Sequence, residues 1–454
     1  MNPDSRNWGD DSNGSDVKKI AGTRPALNTI PWLLIVVAIA LAWAIGISDF
    51  DPRVEVSNRL VHLPNAEDVH FERSNLERGE SAVRVANVQI LDFDEDGRND
   101  ILVCDIARGS VLWYRNVDNQ GWEEHVLGKD LAAPAHATVL DIDQDGDLDV
   151  VVSVLGDWRP HDGLIGQVVL LENDNGVFIQ HVLLDDVRRV SDVQGGDFDG
   201  DGDVDLVVAV FGYARGEVLW LENRGGMRFR DHRLLNRPGV IHVPVGDLDG
   251  DGDLDIAAIS SQDEEELWAL ENLGGGQFKP RLLYFTDNYD VGGAGLVMND
   301  LDQDGDLDLI LPQGDNLEEA MSWPQPYHGC LWLENHGDWK FSVKPLAQPG
   351  QLGLTYAAAV GDVDGDGHKD VVLVSLSDDL DDPGQASVVW LRNDGQQNFS
   401  PYRVDRYPTK LVTVACGDLN GDGRDDIVAG SLMLNFFSDA HLQRVAIWLS
   451  RKAR

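Results

Sequence analysis

Hydrophobic positions in this 454-residue chain fall into two patterns. Residues 30–47 (IPWLLIVVAIALAWAIGI) pass without a charge, and as a helix rising ~1.5 Å per residue they would span roughly 27 Å, close to a bilayer core. From about residue 54 onward the apolar residues come in short β-rich runs, such as LVVAVF at 206–211 and VVLV at 371–374, preceded by short apolar stretches such as 240–245. Short apolar runs bounded by turn residues predict strands. The pattern predicts a tail (1–29), one transmembrane helix (30–48) and an all-β domain (54–454).

Between the strands lies an acidic segment of nine residues that occurs seven times, its copies starting 49 to 62 residues apart. Positions 1, 3, 5 and 9 are Asp92, Asp94, Asp96 and Asp100; Asp141, Asp143, Asp145 and Asp149; Asp197, Asp199, Asp201 and Asp205; Asp247, Asp249, Asp251 and Asp255; Asp300, Asp302, Asp304 and Asp308; Asp362, Asp364, Asp366 and Asp370; and Asp418, Asn420, Asp422 and Asp426. Carboxylates so crowded repel one another, and oxygen ligands converging on a flexible site are what calcium takes. Up to seven Ca2+ ions are expected. Position 6 is glycine in every copy, as a sharp turn requires. Position 7 varies (Arg98, Asp147, Asp203, Asp253, Asp306, His368, Arg424), so it is expected to offer its backbone carbonyl. Position 2 is always apolar and is expected to point inward. An EF-hand is a poor fit, because that motif needs a Glu at position 12 and flanking helices.

A second signature follows each loop: WYRN at 113–116, LLEN at 170–173, WLEN at 220–223, ALEN at 269–272, WLEN at 332–335, WLRN at 390–393 and WLSR at 448–451. Asn followed by glycines, as in NRGG at 223–226, marks a tight turn into a fourth strand containing Phe178, Phe229, Phe278, Phe341 or Phe399. Seven units of four antiparallel strands predict a seven-bladed β-propeller. The shared register of the tryptophans predicts packing between blades. The last repeat ends after its third strand, and residues 54–64 (VEVSNRLVHLP) look like a fourth strand. That segment is expected to pair with the last blade, closing the ring and removing an exposed edge.

The loops, of the form DxDxDGxxD, resemble the FG-GAP and VCBS-type repeats of bacterial surface proteins and the N-terminal propeller of integrin alpha chains. The resemblance covers about residues 54 to 454 and implies a seven-bladed propeller, calcium in the loops between first and second strands, and a frequent role in extracellular recognition. Integrins carry such loops in only some blades, whereas here all seven have one. The calcium ligands therefore carry over residue by residue, and no integrin ligand does.

Charge narrows the function further. The chain has 36 Lys+Arg against 79 Asp+Glu, a net charge of −43, which excludes nucleic acid as a partner. Odd positions of the loops hold 31 of those acids, and without them the balance would be −12, so most of the excess is a ligand set. Cys104, Cys330 and Cys416 are too far apart for a thiolate cluster and read as buried hydrophobes. Lys18, Lys19 and Arg24 precede the apolar stretch and Asp49 and Asp51 follow it, which places the tail in the cytoplasm and the propeller outside it. A cleaved signal peptide, cut near Ala42-Trp43-Ala44, is the competing reading and gives a secreted propeller.

On the face opposite the calcium loops, variable loops carry Trp158, Arg159, His161, Asp162, Tyr213, Arg215, Trp323, Tyr327 and His328, candidates for contacting a protein or carbohydrate ligand. Five residues before the first Asp of three loops stand His136, Asp192 and His242, a set suited to a transition metal or to acid/base work, or to plain channel lining. The leading expectation is a membrane-anchored, calcium-binding recognition or adhesion module. The alternative is a polysaccharide lyase or hydrolase on a propeller scaffold, although the chain has no nucleophile elbow, zinc-protease helix or haem-attachment motif.

Overall fold

The computed structural model describes residues 63–76, 82–118, 121–159, 161–262, 264–288, 291–315, 327–347, 355–376, 386–433 and 442–453. The expected transmembrane segment lies outside them. Among the described residues no helix is long and apolar enough to cross a membrane.

Seven four-stranded antiparallel sheets form the blades. The third blade is typical: its inner strand Arg189–Gly196 pairs with Asp205–Phe211, then come Glu217–Asn223 and the outer strand Phe229–Asn236. The first six blades occupy 85–128, 134–187, 189–236, 245–286, 297–347 and 355–405. Second strands are largely apolar and almost wholly buried, because neighbouring blades cover both their faces; all six residues of Asp149–Val154 are buried, the leading Asp included. Outer strands alternate between partly buried and exposed residues, as one-sided packing requires.

Each of the seven interfaces between adjacent blades holds one apolar cluster, and these clusters are the core. Trp332, Trp390 and Trp448 are among its largest fully buried side chains, in agreement with the packing role expected for the tryptophans. Cys104 and Cys330 are buried and unpaired, as expected, and Cys416 is partly buried.

Two expectations about the seventh blade need correction. Its fourth strand is Val69–Asn75, paired antiparallel with Val445–Lys452, and not 54–64. Most of 54–64 lies outside the described residues, but its end runs beside the sixth blade: the Arg403 N–H donates to the Pro64 carbonyl at 2.9 Å, and Leu63 is buried between blades five and six. Phe71 decides the matter. It opposes Ser450 as Phe229 opposes Asn223 in the third blade, and 54–64 has no aromatic residue to take that place.

The second correction is one of register. Val428 pairs with Ile447, as Val207 pairs with Trp220, so the seventh signature is Ile447-Trp448-Leu449-Ser450, one residue earlier than WLSR. A one-residue shift turns a strand side chain to the other face. Trp448 accordingly packs with Trp390 in the cluster between blades six and seven, while Ile447 faces the first blade.

Candidate metal loops and the opposite face

In every blade the nine-residue loop joins the first strand to the second, as the spacing requires. The loop is drawn closed by its own carboxylates. In the second blade the N–H groups of Asp145 and Gly146 donate to Asp141, and those of Asp145 and Asp147 to Asp143 and Asp145 respectively. Position 6 sits in the left-handed region, from φ 82° at Gly423 to 103° at Gly305. Position 4 does too, including the non-glycines Glu95, Gln144 and Gln303 at 57° to 62°. The sequence carried a signal for that second turn, since four of the seven copies have glycine there. Position 2 is buried in all seven, as expected, from Leu301 and Val363 at 0% to Phe93 at 6% exposure.

Asp carboxylates at positions 1, 3 and 5 of the first, fourth and fifth loops bring ligand atoms within 4.8 Å of one another, as do those at positions 1, 3 and 9 of the second and third. Position 9 has a second duty that its place in the motif did not reveal. It is fully buried at the start of the second strand, and it accepts the N–H of position 2 on one oxygen and that of the signature Asn on the other: Leu248 and Asn272 donate to Asp255 at 2.9 and 2.8 Å. Ser450 replaces the Asn in the seventh blade. In blades one, four and five the Asn side chain then reaches the preceding blade, Nδ2 of Asn116 and Asn335 donating to the Leu419 and Leu248 carbonyls at 2.8 Å and that of Asn272 to the Phe198 carbonyl at 2.9 Å. Loop and ring are therefore coupled. Burial pushes these carboxyls up, to about 6 for Asp149 and Asp205 and about 7 for Asp255, Asp308, Asp370 and Asp426. The same cause raises Asp100.

His136, Asp192 and His242 do converge, the first two from the inner strands of blades two and three and His242 from the segment just before the inner strand Val245–Gly246 of blade four. Register shifts just before His136 and Asp192 help aim those two side chains. His136 Nδ1 lies 2.9 Å and His242 Nδ1 3.4 Å from the two oxygens of Asp192, and His242 Nε2 donates to the Ala294 carbonyl at 3.1 Å. The three groups pair with one another, clamping blades two to four. Burial alone would raise Asp192 and lower His136, but their mutual attraction reverses both, holding Asp192 far below the carboxylate range and raising His136.

The sign of the pH effect follows. Asp192 contributes above its unfolded value of about 4 and is lost only in strong acid, whereas the His136 contribution is complete below about 6.5 and is lost as pH rises through its raised value. Asp192→Asn is expected to cost about 2 kcal/mol near pH 6 and clearly less at pH 9. Melting temperatures of both proteins from pH 5 to 9 check this; a constant gap would refute it.

On the opposite face, Trp158 lies under the Arg84 guanidinium at 4.3 Å, with Arg159 at 5.4 Å. The Tyr213 N–H donates to Asp162 at 2.9 Å, tying the loops of blades two and three together. Arg159, His161 and Arg215 are exposed. His328 is buried at 2% against Tyr327, so its ring is not offered to a partner. Trp323 lies outside the described residues. A feature the sequence did not reveal is a cleft of about 530 Å³ in the third blade, lined by Arg188, Arg215, Arg233 and Glu217 among others. Arg233 is paired with Glu217, while the Arg188 Nε is buried without a hydrogen-bond partner.

Comparison with known proteins adds three findings. No curated protein matches the chain. Crystal structures of BBS1N in complex with ARL6DN share the fold: one soaked with lead is 14% identical with a TM-score of 0.51, covering 86% of this chain and 98% of that one, and one soaked with mercury is 13% identical with a TM-score of 0.50, covering 87% and 98%. The family model described as an FG-GAP-like repeat matches residues 92–152, 197–258, 247–311 and 372–429, together just over half of the sequence. Those matches, covering more than half of the sequence, include six of the seven acidic loops, and on that ground the chain belongs to the FG-GAP-like repeat family.

Proposed function

We propose that this propeller is a calcium-stabilised recognition module, held at a membrane through residues 30–48 with the ring on the exported side, and that it binds an acidic segment of a protein partner on the face opposite the loops. The carrying observation is the arginine-lined cleft of the third blade, a concentration of positive charge on a chain of net charge −43. Charge complementarity of this kind selects acidic partners and speeds their capture. The fold neighbours, themselves solved as complexes with another protein, are consistent with a protein partner.

Calcium is supported by the donor set of seven oxygen-rich loops and by two atoms that lack a partner: Oδ1 of Asp94 and Oδ1 of Asn420, both buried at position 3. Carboxylates raised by burial are also groups that a nearby cation would relieve. The residues fit the ion, with positions 1, 3, 5 and 9 holding it and position 9 also fixing the loop to the sheet. Calcium there would supply countercharge and rigidity. Anchoring is supported by the uncharged stretch and the basic-before, acidic-after charges around it.

The test is binding of the purified full-length protein to an array of Asp/Glu-rich peptides in calcium. Saturable binding that falls at least about tenfold in Arg188→Glu/Arg215→Glu is expected. Binding unaffected by that change, or turnover of an acidic polysaccharide in place of peptide binding, would overturn the recognition reading.

A further inference from the structure

We infer that the ring is divided into two arcs with different demands for calcium: blades two to five depend on the ion, whereas in blades six, seven and one the chain's own arginines stand in part for it. The inference rests on the calcium reading above and refines it.

Two positions other than the side-chain ligands at 1, 3, 5 and 9 sort the blades in the same way. Position 7 of the loop and the third residue of the signature are both acidic in blades two to five: Asp147 and Glu172, Asp203 and Glu222, Asp253 and Glu271, Asp306 and Glu334. In the first blade they are Arg98 and Arg115, in the sixth His368 and Arg392. In the seventh they are Arg424 and, in the corrected register, Leu449, with Arg451 close behind.

The side chains go where this pattern implies. Arg115 Nε lies 2.5 Å from Asp94 Oδ2, and its NH2 lies 3.4 Å from Asp96 Oδ2, which Arg98 also pairs. Arg392 pairs with Asp364, again at position 3. Arg451 NH1 stands 3.6 Å from Asp422 Oδ2. Asn420 replaces one carboxylate outright and donates its Nδ2 to both oxygens of Asp426, at 3.1 and 2.9 Å. Among the described residues, no Lys or Arg is ion-paired with position 1, 3, 5 or 9 in blades two to five. Basic residues there pair instead with the signature Glu, Arg224 with Glu222, Lys279 and Arg281 with Glu271, and Lys344 with Glu334.

A guanidinium on a ligand carboxylate opposes a dication by repulsion and must be displaced before that oxygen turns to the ion. It is also tethered, so its countercharge does not depend on calcium concentration. The unpartnered oxygens of Asp94 and Asn420 leave a weaker ion site beside it. The arginine arc is contiguous around the ring, because the seventh blade packs on both the sixth and the first. It contains the seam where Val69–Asn75 joins Val445–Lys452. The seam is thus held by fixed charge, and the rest of the ring is the calcium-dependent part.

Calcium titration of the full-length protein by calorimetry is expected to resolve about four tight sites and a class at least about tenfold weaker, and Arg115→Glu/Arg392→Glu to raise the tight class to about six. One class of seven equal sites, or no change in the variant, would overturn the two arcs. Absence of calcium binding altogether would instead overturn the calcium reading. Because that variant could fail to fold, peptide-resolved hydrogen exchange of the unaltered protein after chelation gives a second reading. Protection is expected to fall first in blades two to five and last in six, seven and one; a uniform loss, or the reverse order, would overturn the inference.

Discussion

Full-length protein treated with a chelator is expected to melt roughly 10 °C or more below the same protein in excess calcium. The ion binds the folded loop and not the extended chain, so each independent site stabilises by about 2.7 kcal/mol at one hundred times its dissociation constant. Four such sites supply about 10 kcal/mol, and for a domain near 390 residues an unfolding entropy of about 2.1 cal/mol/K per residue turns each 0.8 kcal/mol into about 1 °C. The effect should spread beyond the loops, because position 9 ties each loop to the signature Asn, or to Ser450 in the seventh blade, and several of those Asn side chains bind the preceding blade. Readdition of calcium should restore the melting temperature, while equimolar magnesium, which keeps several waters, should restore much less. Differential scanning fluorimetry with and without chelator decides this. An unchanged melting temperature would remove the structural role assigned to the ion.

Deletion of residues 63–75 is expected to be comparably damaging. The strand Val69–Asn75 supplies seven cross-strand pairs to the seventh blade, and without it Val445–Lys452 becomes a bare edge. The seam would weaken, since this strand supplies the only sheet pairing, among the described residues, between the start of the ring and the last blade's outer edge. We expect a melting temperature lower by roughly 10 °C or more and self-association through the exposed edge, read by size-exclusion chromatography. Phe71→Ala isolates the side-chain part: Phe71 is half-buried and meets Trp390 edge-on at 6.1 Å, so a loss of about 2 kcal/mol is expected. A deleted protein that stayed monomeric and melted normally would show that the ring closes some other way.

The chain's local chemistry determined much by itself. Aspartates at alternate positions, a glycine at the sixth and apolar runs on both sides leave few options besides a strand, an oxygen-lined turn and a strand, and seven copies of that unit make a ring. These features act within about ten residues, where turn geometry and the two-residue period of a strand are read directly from residue type. Tertiary structure decided what depends on distant partners. Whether 54–64 or Val69–Asn75 closes the ring turned on which segment brings an aromatic opposite Ser450, more than 370 residues away in sequence. Trp448 looked like the tryptophans that open four of the other six signatures, yet a one-residue shift set by its neighbours sends it to the other interface. The arginines at 115 and 392 read as signature variants until folding placed them on Asp94 and Asp364, because a charge acquires its meaning from what it faces.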